Sequence, residues 1–556
     1  MHEKDAEAAL LLGQWEDGSH ARDGSDASSE PEIEAPTSLP PHRRLRLTLQ
    51  RISHRWRVHP AKSLRANGFK ARRRRLSCAS FRLLVAYALG LWLAVILTCG
   101  SLFPSYSHPP ARYAQLRERV QLATSPGAAN IDNEKIFIAA SLLDKKGELT
   151  SGAWGDSVLQ LIHILGPQNV FLSVYENDAD AASIEALRAF QPRLPCASSL
   201  VNEHLELNDV YHVKTAEGTS EAKRIAFLAE ARNRALRPLE NESSPAYHTR
   251  WDKLLYLNDV AFDPIDAANL LFSTNVDEES GKADYRAACA VDFIDAFKFY
   301  DTYATRDLEG FSIGLPLYPW FTSAGEAESR RDVLSQTDAV RVKSCWGGMV
   351  AYEAQCFQPY AWQEGFEALN MAEELDWSET PVSDESSALT TRGPFDPPLR
   401  FRFERETYWD ASECCLINAD LAHMSGSQGT GIYMNPYIRV AYSPRVLSWL
   451  GFTRRFERLL SPLQSLVNSL WHLPKHNVRR LQQPGEEVVD TVWRWEPSSH
   501  AGEADGGSQG SYHQIRRMAQ PGQFCGRPGL SVIRDGVQGG RHWAGAPVPP
   551  RPVGGQ

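Results

Sequence analysis

The sequence lacks the motifs that most directly identify a nucleotide-binding or catalytic protein. Its 556 residues contain no Gly-rich phosphate loop, no Cys/His spacing typical of a zinc site and no Ser/His/Asp order typical of a hydrolase. No internal repeat is visible either. These absences argue against a P-loop NTPase, a zinc module, a serine hydrolase and a repeat protein.

Two neighbouring segments lack charge, the first of negative sign only and the second of both signs. Residues 41–82 contain many Arg but no Asp or Glu, and residues 83–103 contain no charged side chain. The 21 uncharged residues are long enough to cross a hydrocarbon core of about 30 Å as one helix. The alternative is a buried core helix, but such helices usually have a polar face. Since the basic flank is N-terminal, the positive-inside rule predicts a cytosolic N-terminus and a luminal remainder.

This asymmetry predicts a single-pass type II membrane protein. We predict a disordered cytosolic tail over 1–82, a transmembrane signal anchor over 83–103 and a stem over 104–130. A luminal domain over 131–535 and a disordered Pro/Gly-rich tail over 536–556 follow. The basic patch that can suggest nucleic acid lies on the cytosolic side, and we expect no nucleic-acid partner.

Two further features agree with an oxidising compartment. Seven of the nine Cys lie after the apolar segment, where disulfides persist. Because seven is odd, at least one thiol is free or pairs between chains. Asn241 opens an Asn-Glu-Ser sequon in a hydrophilic stretch, which predicts a glycosylation site.

Strand-like and helix-like segments alternate in the luminal part. Strands are predicted at 135–142, 169–177 and 253–259, with helices near 158–165, at 181–190 and at 220–236. This alternation predicts an α/β fold with a largely parallel sheet. Ligands of such sheets bind at the carboxyl ends of the strands, so polar residues at those ends become candidates.

Three polar residues stand out at or near these ends. Glu176 can accept hydrogen bonds from a nucleotide, or it can belong to a turn before the next helix. Arg232 interrupts an apolar helix stripe and needs a partner, either a core carboxylate or, at a ligand site, a diphosphate or Asp259 itself. Asp259 ends the strand "KLLYLND" and can hold a cation at a diphosphate, or it can form a turn. The pattern is Asn-Asp-Val-Ala-Phe-Asp rather than Asp-x-Asp.

Weaker candidates lie further along the chain. The turn Trp346-Gly347-Gly348 can bring backbone and an indole face to a sugar ring, although tight turns also use Gly-Gly. Three acids are candidates to orient an acceptor hydroxyl, Asp301, Asp307 and Glu413, and of these Glu413 and Asp301 are the catalytic candidates.

These stretches together resemble the fungal capsule-associated α-1,3-mannosyltransferase family, glycosyltransferase family 69. The similar blocks span about residues 131–535 in order: "NVFLSVYEND", "RIAFLAEARNRAL", "KLLYLNDVAFDP", "DYRAACAVDF", "FYDTYATRD", "CWGG", "ECCLINADL", "NPYIRVAY" and "GQFCG". One departure is "ENDADAAS", where the family has "ENGS" followed by Asp and Thr.

The resemblance implies a GT-A-like, Rossmann-type domain that binds GDP-mannose and Mn²⁺ (or Mg²⁺) and acts on a mannose-containing glycan in a Golgi or other secretory-pathway membrane. It implies that Asp259 binds the metal, and that Glu176, Arg232 and Asn233 lie near the nucleotide. Transfer with an α-1,3 linkage retains configuration, through a covalent carboxylate intermediate or front-face attack. The alternative function is a non-catalytic protein of the same fold, acting in polysaccharide assembly or export.

Overall fold

The structure is a computed structural model. It describes residues 78–359, 379–381, 398–424, 429–474, 477–495, 510–535 and 541–551. The described residues up to Trp92 belong to one compact unit and those from Leu93 onward to another. The predicted cytosolic tail lies outside the described residues up to position 77.

The first described helix is the predicted anchor. Helix α1, Cys78–Leu102, contains a stretch from Leu83 to Leu102 that is long and apolar enough to cross a membrane. Almost none of that stretch is buried by protein. An apolar surface of this kind favours a hydrocarbon environment over water.

The remaining elements alternate as predicted, with additions. The other helices are α2 Ala111–Leu122, α3 Ala153–Leu165, α4 Ala181–Phe190, α5 Arg224–Arg234, α6 Pro264–Ser273, α7 Glu328–Ser335, α8 Glu413–Met424, α9 Pro444–Thr453 and α10 Ser461–Leu470. The first nine strands are β1 Ile136–Leu142, β2 Val170–Asn177, β3 Ala197–Glu203, β4 His212–Lys214, β5 Ser220–Lys223, β6 Lys253–Leu257, β7 Ala287–Phe293, β8 Val340–Arg341 and β9 Met349–Glu353. Then follow β10 Glu379–Pro381, β11 Trp409–Ala411, β12 Ile432–Ala441, β13 Glu487–Trp495, β14 Gly510–Met518, β15 Gly526–Pro528, β16 Ser531–Asp535 and β17 Arg541–Gly545.

The largest sheet among the described strands has the order β3-β2-β1-β6-β9-β7-β12-β8. Its pairs are parallel except where β9 lies between β6 and β7 and where β8 flanks β12. Strands β2 and β7 are buried at every residue, which is typical of a sheet covered on both faces. Helices α5 and α6 pack on this sheet, and α3 packs on α6. The predicted α/β fold with a large parallel sheet is confirmed.

The structure corrects the helix predicted over residues 220–236. Residues Ser220–Lys223 form β5, which pairs with β4 and β16, and the helix begins only at Arg224. The physical reason lies at Lys223, which is fully buried. Its Nζ donates to the carbonyls of Glu404, Glu406 and Trp409 at 2.9, 2.6 and 3.0 Å.

Two segments outside the predicted luminal domain also contain regular elements. Within the predicted stem, α2 buries Tyr113 and Leu116 and packs on α6. Within the predicted disordered tail, β17 pairs with β16. Trp543 of β17 lies under the Arg224 guanidinium, 4.6 Å from it. The Pro/Gly composition of this tail predicts disorder, but Trp543 within it packs on the domain.

Two disulfides cross-link the domain. Cys289 of β7 pairs with Cys345, and Cys415 of α8 pairs with Cys525. Among the described residues, the thiols of Cys99, Cys196, Cys356 and Cys414 are free. The first bond attaches the candidate turn at residues 346–348 to the central sheet.

Lys223 provides a test of the β5 correction. We expect Lys223→Met to lower the free energy of unfolding by about 3 kcal/mol or more, because three carbonyls and the buried Asp410 lose their cation. Lys282→Met is the control: Lys282 is exposed, 3.6 Å from Asp132, and should cost about 0.5 kcal/mol or less. Denaturant unfolding of both variants measures the difference. Equal effects would show that Lys223 does not hold β5 in place.

Candidate active site

The strand order brings several polar residues to one edge of the central sheet. Leu142 is level with Glu176, Ala140 with Leu257, and Phe293 with Ala441. The antiparallel β9 starts at Met349, opposite Leu257, so the turn before it lies at the same edge. The polar residues at or beside this edge are Asp144, Glu176, Asn258, Asp259, Asp292, Tyr442 and the turn Trp346-Gly347-Gly348.

Arg232 of α5 connects three parts of this edge. It is buried, and its Nε donates to Glu413 Oε1 at 3.0 Å while Nη1 donates to Asn258 Oδ1 at 3.1 Å. Its guanidinium lies over the Trp346 ring at 4.5 Å. A buried charge needs such partners. Of the two alternatives left open by the sequence, the structure contains the core carboxylate, Glu413.

Asp259 lies two residues after the last residue of β6 and is half-buried. Among the described residues its carboxylate makes no ion pair and no hydrogen bond to another side chain. Burial raises the pKa of Asp259 to about 6, and the nearby Arg232 charge partly offsets this. The second carboxylate of the motif has another use: Asp263 caps α6, accepting from the amides of Ile265 and Asp266. Asp259 is therefore the free carboxylate of the pair.

Asp301 fixes the turn before β9. Its Oδ2 accepts from the Trp346 amide at 3.1 Å, the Gly347 amide at 3.4 Å and the Thr305 hydroxyl at 2.7 Å. Gly347 has φ +57°, and a Cβ there would lie 2.0 Å from the Ala290 carbonyl oxygen. The turn therefore requires both the carboxylate and a glycine.

Sequence reasoning did not select Asp292, the last polar residue of β7. It is fully buried, accepts from the Asp301 amide at 3.0 Å and accepts from the Tyr442 hydroxyl at 3.0 Å. Burial, and then the charge of Asp301, raise the pKa of Asp292 to about 7. Tyr300 packs on Tyr442 at 4.5 Å, and its hydroxyl has no partner among the described residues. The sequence signal that could have identified Asp292 was an acid within the otherwise apolar run "AACAVDF".

Glu176 lies at the end of β2. Its Oε2 accepts from Asn202 at 3.5 Å, while Oε1 is buried without a partner in hydrogen-bonding geometry among the described residues. Burial raises the pKa of Glu176 to about 7, and the nearby Ser183 hydroxyl partly offsets this. The cap of α4 is Asp180, so Glu176 does not serve the turn as a cap.

The remaining candidates have local partners. Asn233 exchanges two hydrogen bonds of 2.8 Å with the backbone of Phe401, which fixes residue 401 beside the Trp346 ring. Asp307 accepts from the amides of Glu309 and Phe311 within its own turn. Asn241 is exposed, as a glycosylated residue must be.

The edge can hold a cation only with help from a ligand. No group of three or more His, Cys, Asp or Glu within the described ranges is arranged to hold a metal ion. The donor set fits instead a hard cation bound by one carboxylate, Asp259, with phosphate oxygens and water completing the shell. Arg232, a fixed cation beside it, adds positive charge at the same place. The edge is suited to an anionic ligand such as a diphosphate.

Comparison with known proteins identifies a family. A family model described as cryptococcal mannosyltransferase 1 matches residues 135–420, just over half of the chain. A solved structure of the mannosyltransferase PcManGT from Pyrobaculum calidifontis in complex with GDP-Man and Mn²⁺ is 12% identical, with 69% of this chain and 75% of that chain covered and a TM-score of 0.27. A likeness of that size carries no argument about fold or ligands. No curated protein matches the sequence.

The Gly347 turn gives a stability prediction. Gly347→Ala should lower the free energy of unfolding by about 3 kcal/mol or more, because left-handed strain is added to a clash with backbone. Gly218→Ala is the matched control: its φ is +84° with no atom within 4 Å of the new Cβ, so only about 1 kcal/mol is expected. Thermal or denaturant unfolding distinguishes them. Similar losses would contradict the close approach to Ala290.

Glu176 gives a pH prediction. Below about pH 4 its carboxyl is protonated in both the folded and the unfolded chain and has no effect. As the pH rises from about 4 to about 7, the carboxyl ionises in the unfolded chain but stays protonated in the folded one, so stability is lost over this window and the loss is complete above about 7. Glu176→Gln should therefore raise the free energy of unfolding by about 1–2 kcal/mol at pH 8 and leave it nearly unchanged at pH 4. A gain that is the same at both pH values would contradict the raised pKa.

Proposed function

We propose, from the premise that the chain belongs to the cryptococcal mannosyltransferase 1 family, that it transfers mannose from GDP-mannose to a hydroxyl of a mannose-containing glycan. We propose an α-1,3 linkage formed with retention, a GT-A-like luminal domain over 131–535, and a type II anchor in a Golgi or other secretory-pathway membrane. The glycan belongs to capsule or cell-wall polysaccharide. The observation that carries the proposal is the free Asp259 carboxylate beside Arg232 at the ligand-binding edge of the sheet.

The anionic donor fits this edge by charge. Arg232 lies between Asn258 and the Trp346 ring, and its guanidinium is already oriented by Glu413. Such a fixed cation stabilises charge that develops on a departing diphosphate without reorganisation during the reaction. Asp259 would hold Mn²⁺ or Mg²⁺, which neutralises the diphosphate when bound. The reaction breaks the bond from the anomeric carbon to phosphate, forms one to the acceptor oxygen and releases GDP and the acceptor proton.

Unpaired polar atoms mark where the donor's other groups would bind. Glu176 Oε1, Asn258 Nδ2, Trp346 Nε1 and the Tyr300 hydroxyl are buried without partners in the described residues. A buried polar group without a partner is costly, so several at one edge are typical of a site completed by a ligand. In this proposal Glu176 binds the nucleoside and Asn233 fixes Phe401 on the donor side.

The two acids first considered catalytic act through other groups. Glu413 orients Arg232, and Asp301 orients the turn Trp346-Gly347-Gly348, which we propose as the acceptor side of the site. Both are thus positioning residues. Asp292 supports the same arrangement by holding the Asp301 amide and Tyr442.

Asp259→Asn tests the proposal. The wild-type chain in detergent should be stabilised by GDP with Mn²⁺, by about 2.7 kcal/mol at a hundredfold excess over Kd, and should transfer mannose from labelled GDP-mannose. The variant should lose both effects while remaining folded, because removing a charge whose pKa burial raises does not weaken the fold. Thermal unfolding and product counting measure the two properties.

Asp295→Asn is the matched control, since Asp295 is an exposed turn residue. It should keep both ligand stabilisation and transfer. Absence of any GDP and Mn²⁺ effect on the wild type would favour the non-catalytic assembly protein. Full transfer by Asp259→Asn would remove Asp259 from the metal site.

A further inference from the structure

Helix α10 has inverted polarity. Its buried side contains Gln464, whose Nε2 donates to the Trp320 carbonyl at 3.0 Å, and Asn468, whose Oδ1 accepts from the Leu315 amide at 2.7 Å. Its outer side carries Leu463, Leu466 and Leu470, which are 48, 57 and 61% exposed. Surface helices in water place apolar residues inward and polar residues outward. This helix does the reverse.

Helix α9 and the end of α10 extend the same kind of surface. Trp449 and Phe452 are 54 and 55% exposed with their rings 6.0 Å apart, and Trp471 is 66% exposed. We call the set Trp449, Phe452, Leu463, Leu466, Leu470 and Trp471 the apolar patch. Clusters of this kind mark contact with another apolar phase or molecule.

The segment that carries the apolar patch is basic. The segment from Tyr442 to Pro474 contains four Arg and a single acid, Glu457. That acid is buried in an ion pair with Arg439 at 2.8 Å, so it does not offset the exposed Arg445 and Arg455. Exposed Leu and Trp together with Arg are typical of helices that lie in a membrane interface, where Arg binds lipid phosphates.

The patch is connected to the end of α1. The Phe456 ring, which packs on Phe452, lies so close to the backbone of Gly100 that a Cβ there would be 2.2 Å from it. Beyond the helix, Ser105 donates to Glu457, and Arg454 donates to the Tyr106 carbonyl at 3.0 Å. The chain leaving the candidate span is thus bound directly to the segment between α9 and α10.

We propose that α9 and α10 form a second membrane contact, lying in the plane of the luminal interface of the same bilayer that α1 crosses. The apolar patch enters the boundary between headgroups and acyl chains, and Arg445 and Arg455 reach the phosphates. The proposal rests on α1 being a span, but not on the transferase activity. A lipid surface is favoured over a second protein chain because the patch continues from the end of the span.

Fluorescence in liposomes tests this contact. The full chain with Leu466→Cys, labelled with an environment-sensitive fluorophore, is reconstituted into phosphatidylcholine vesicles with and without lipids carrying a doxyl quencher near the headgroup. Signal from identically treated wild type is subtracted, because the chain has native free thiols. Leu97→Cys, within the span, is the positive control, and Glu185→Cys, exposed on α4, is the negative control.

We expect at least twofold quenching at positions 466 and 97 and none at 185. Quenching at 97 with an unquenched, water-exposed probe at 466 would overturn the proposal and leave the anchor intact. A probe at 466 that is shielded from water but not quenched would overturn it in favour of a protein partner. Absence of quenching at both 466 and 97 would overturn the membrane contact and the span together.

Discussion

The site depends on one buried guanidinium. Arg232 has no water to solvate it, so its charge must be satisfied by Glu413, Asn258 and the face of Trp346. These partners come from α8, the end of β6 and the turn before β9. The requirement to pair one charge therefore brings together three distant segments of the chain. It also leaves a cation fixed in position before any ligand arrives.

The sheet edge around Arg232 contains several polar groups whose burial lowers the stability of the folded chain. Burial raises the pKa of Asp259, Asp292 and Glu176, and several polar atoms beside them are unpaired. A domain has no structural need for such an arrangement, because each group would be more stable in water. A ligand with its own charges and hydrogen-bonding groups would relieve it.

Much of this could be predicted from the sequence, because the signals were local. Apolar runs ending in acids located β2 and β6, and the helix stripe interrupted by Arg232 located a buried charge. Long-range features could not be predicted this way. Lys223 looks like a helical residue until the carbonyls around it are known. Asp301 and Asn233 suggested ligand contacts, whereas their observed partners are the backbone of a turn and of Phe401, which no local pattern specifies.

The cross-link between Cys289 and Cys345 has a practical consequence. It joins the central sheet to the residue immediately before Trp346, so the turn is covalently attached to β7. A chain synthesised in a reducing cytosol would lack this bond. Recombinant material from such a cytosol would then hold the turn to the sheet by noncovalent contacts alone. An expression system with an oxidising compartment supplies material in which the bond between Cys289 and Cys345 can form.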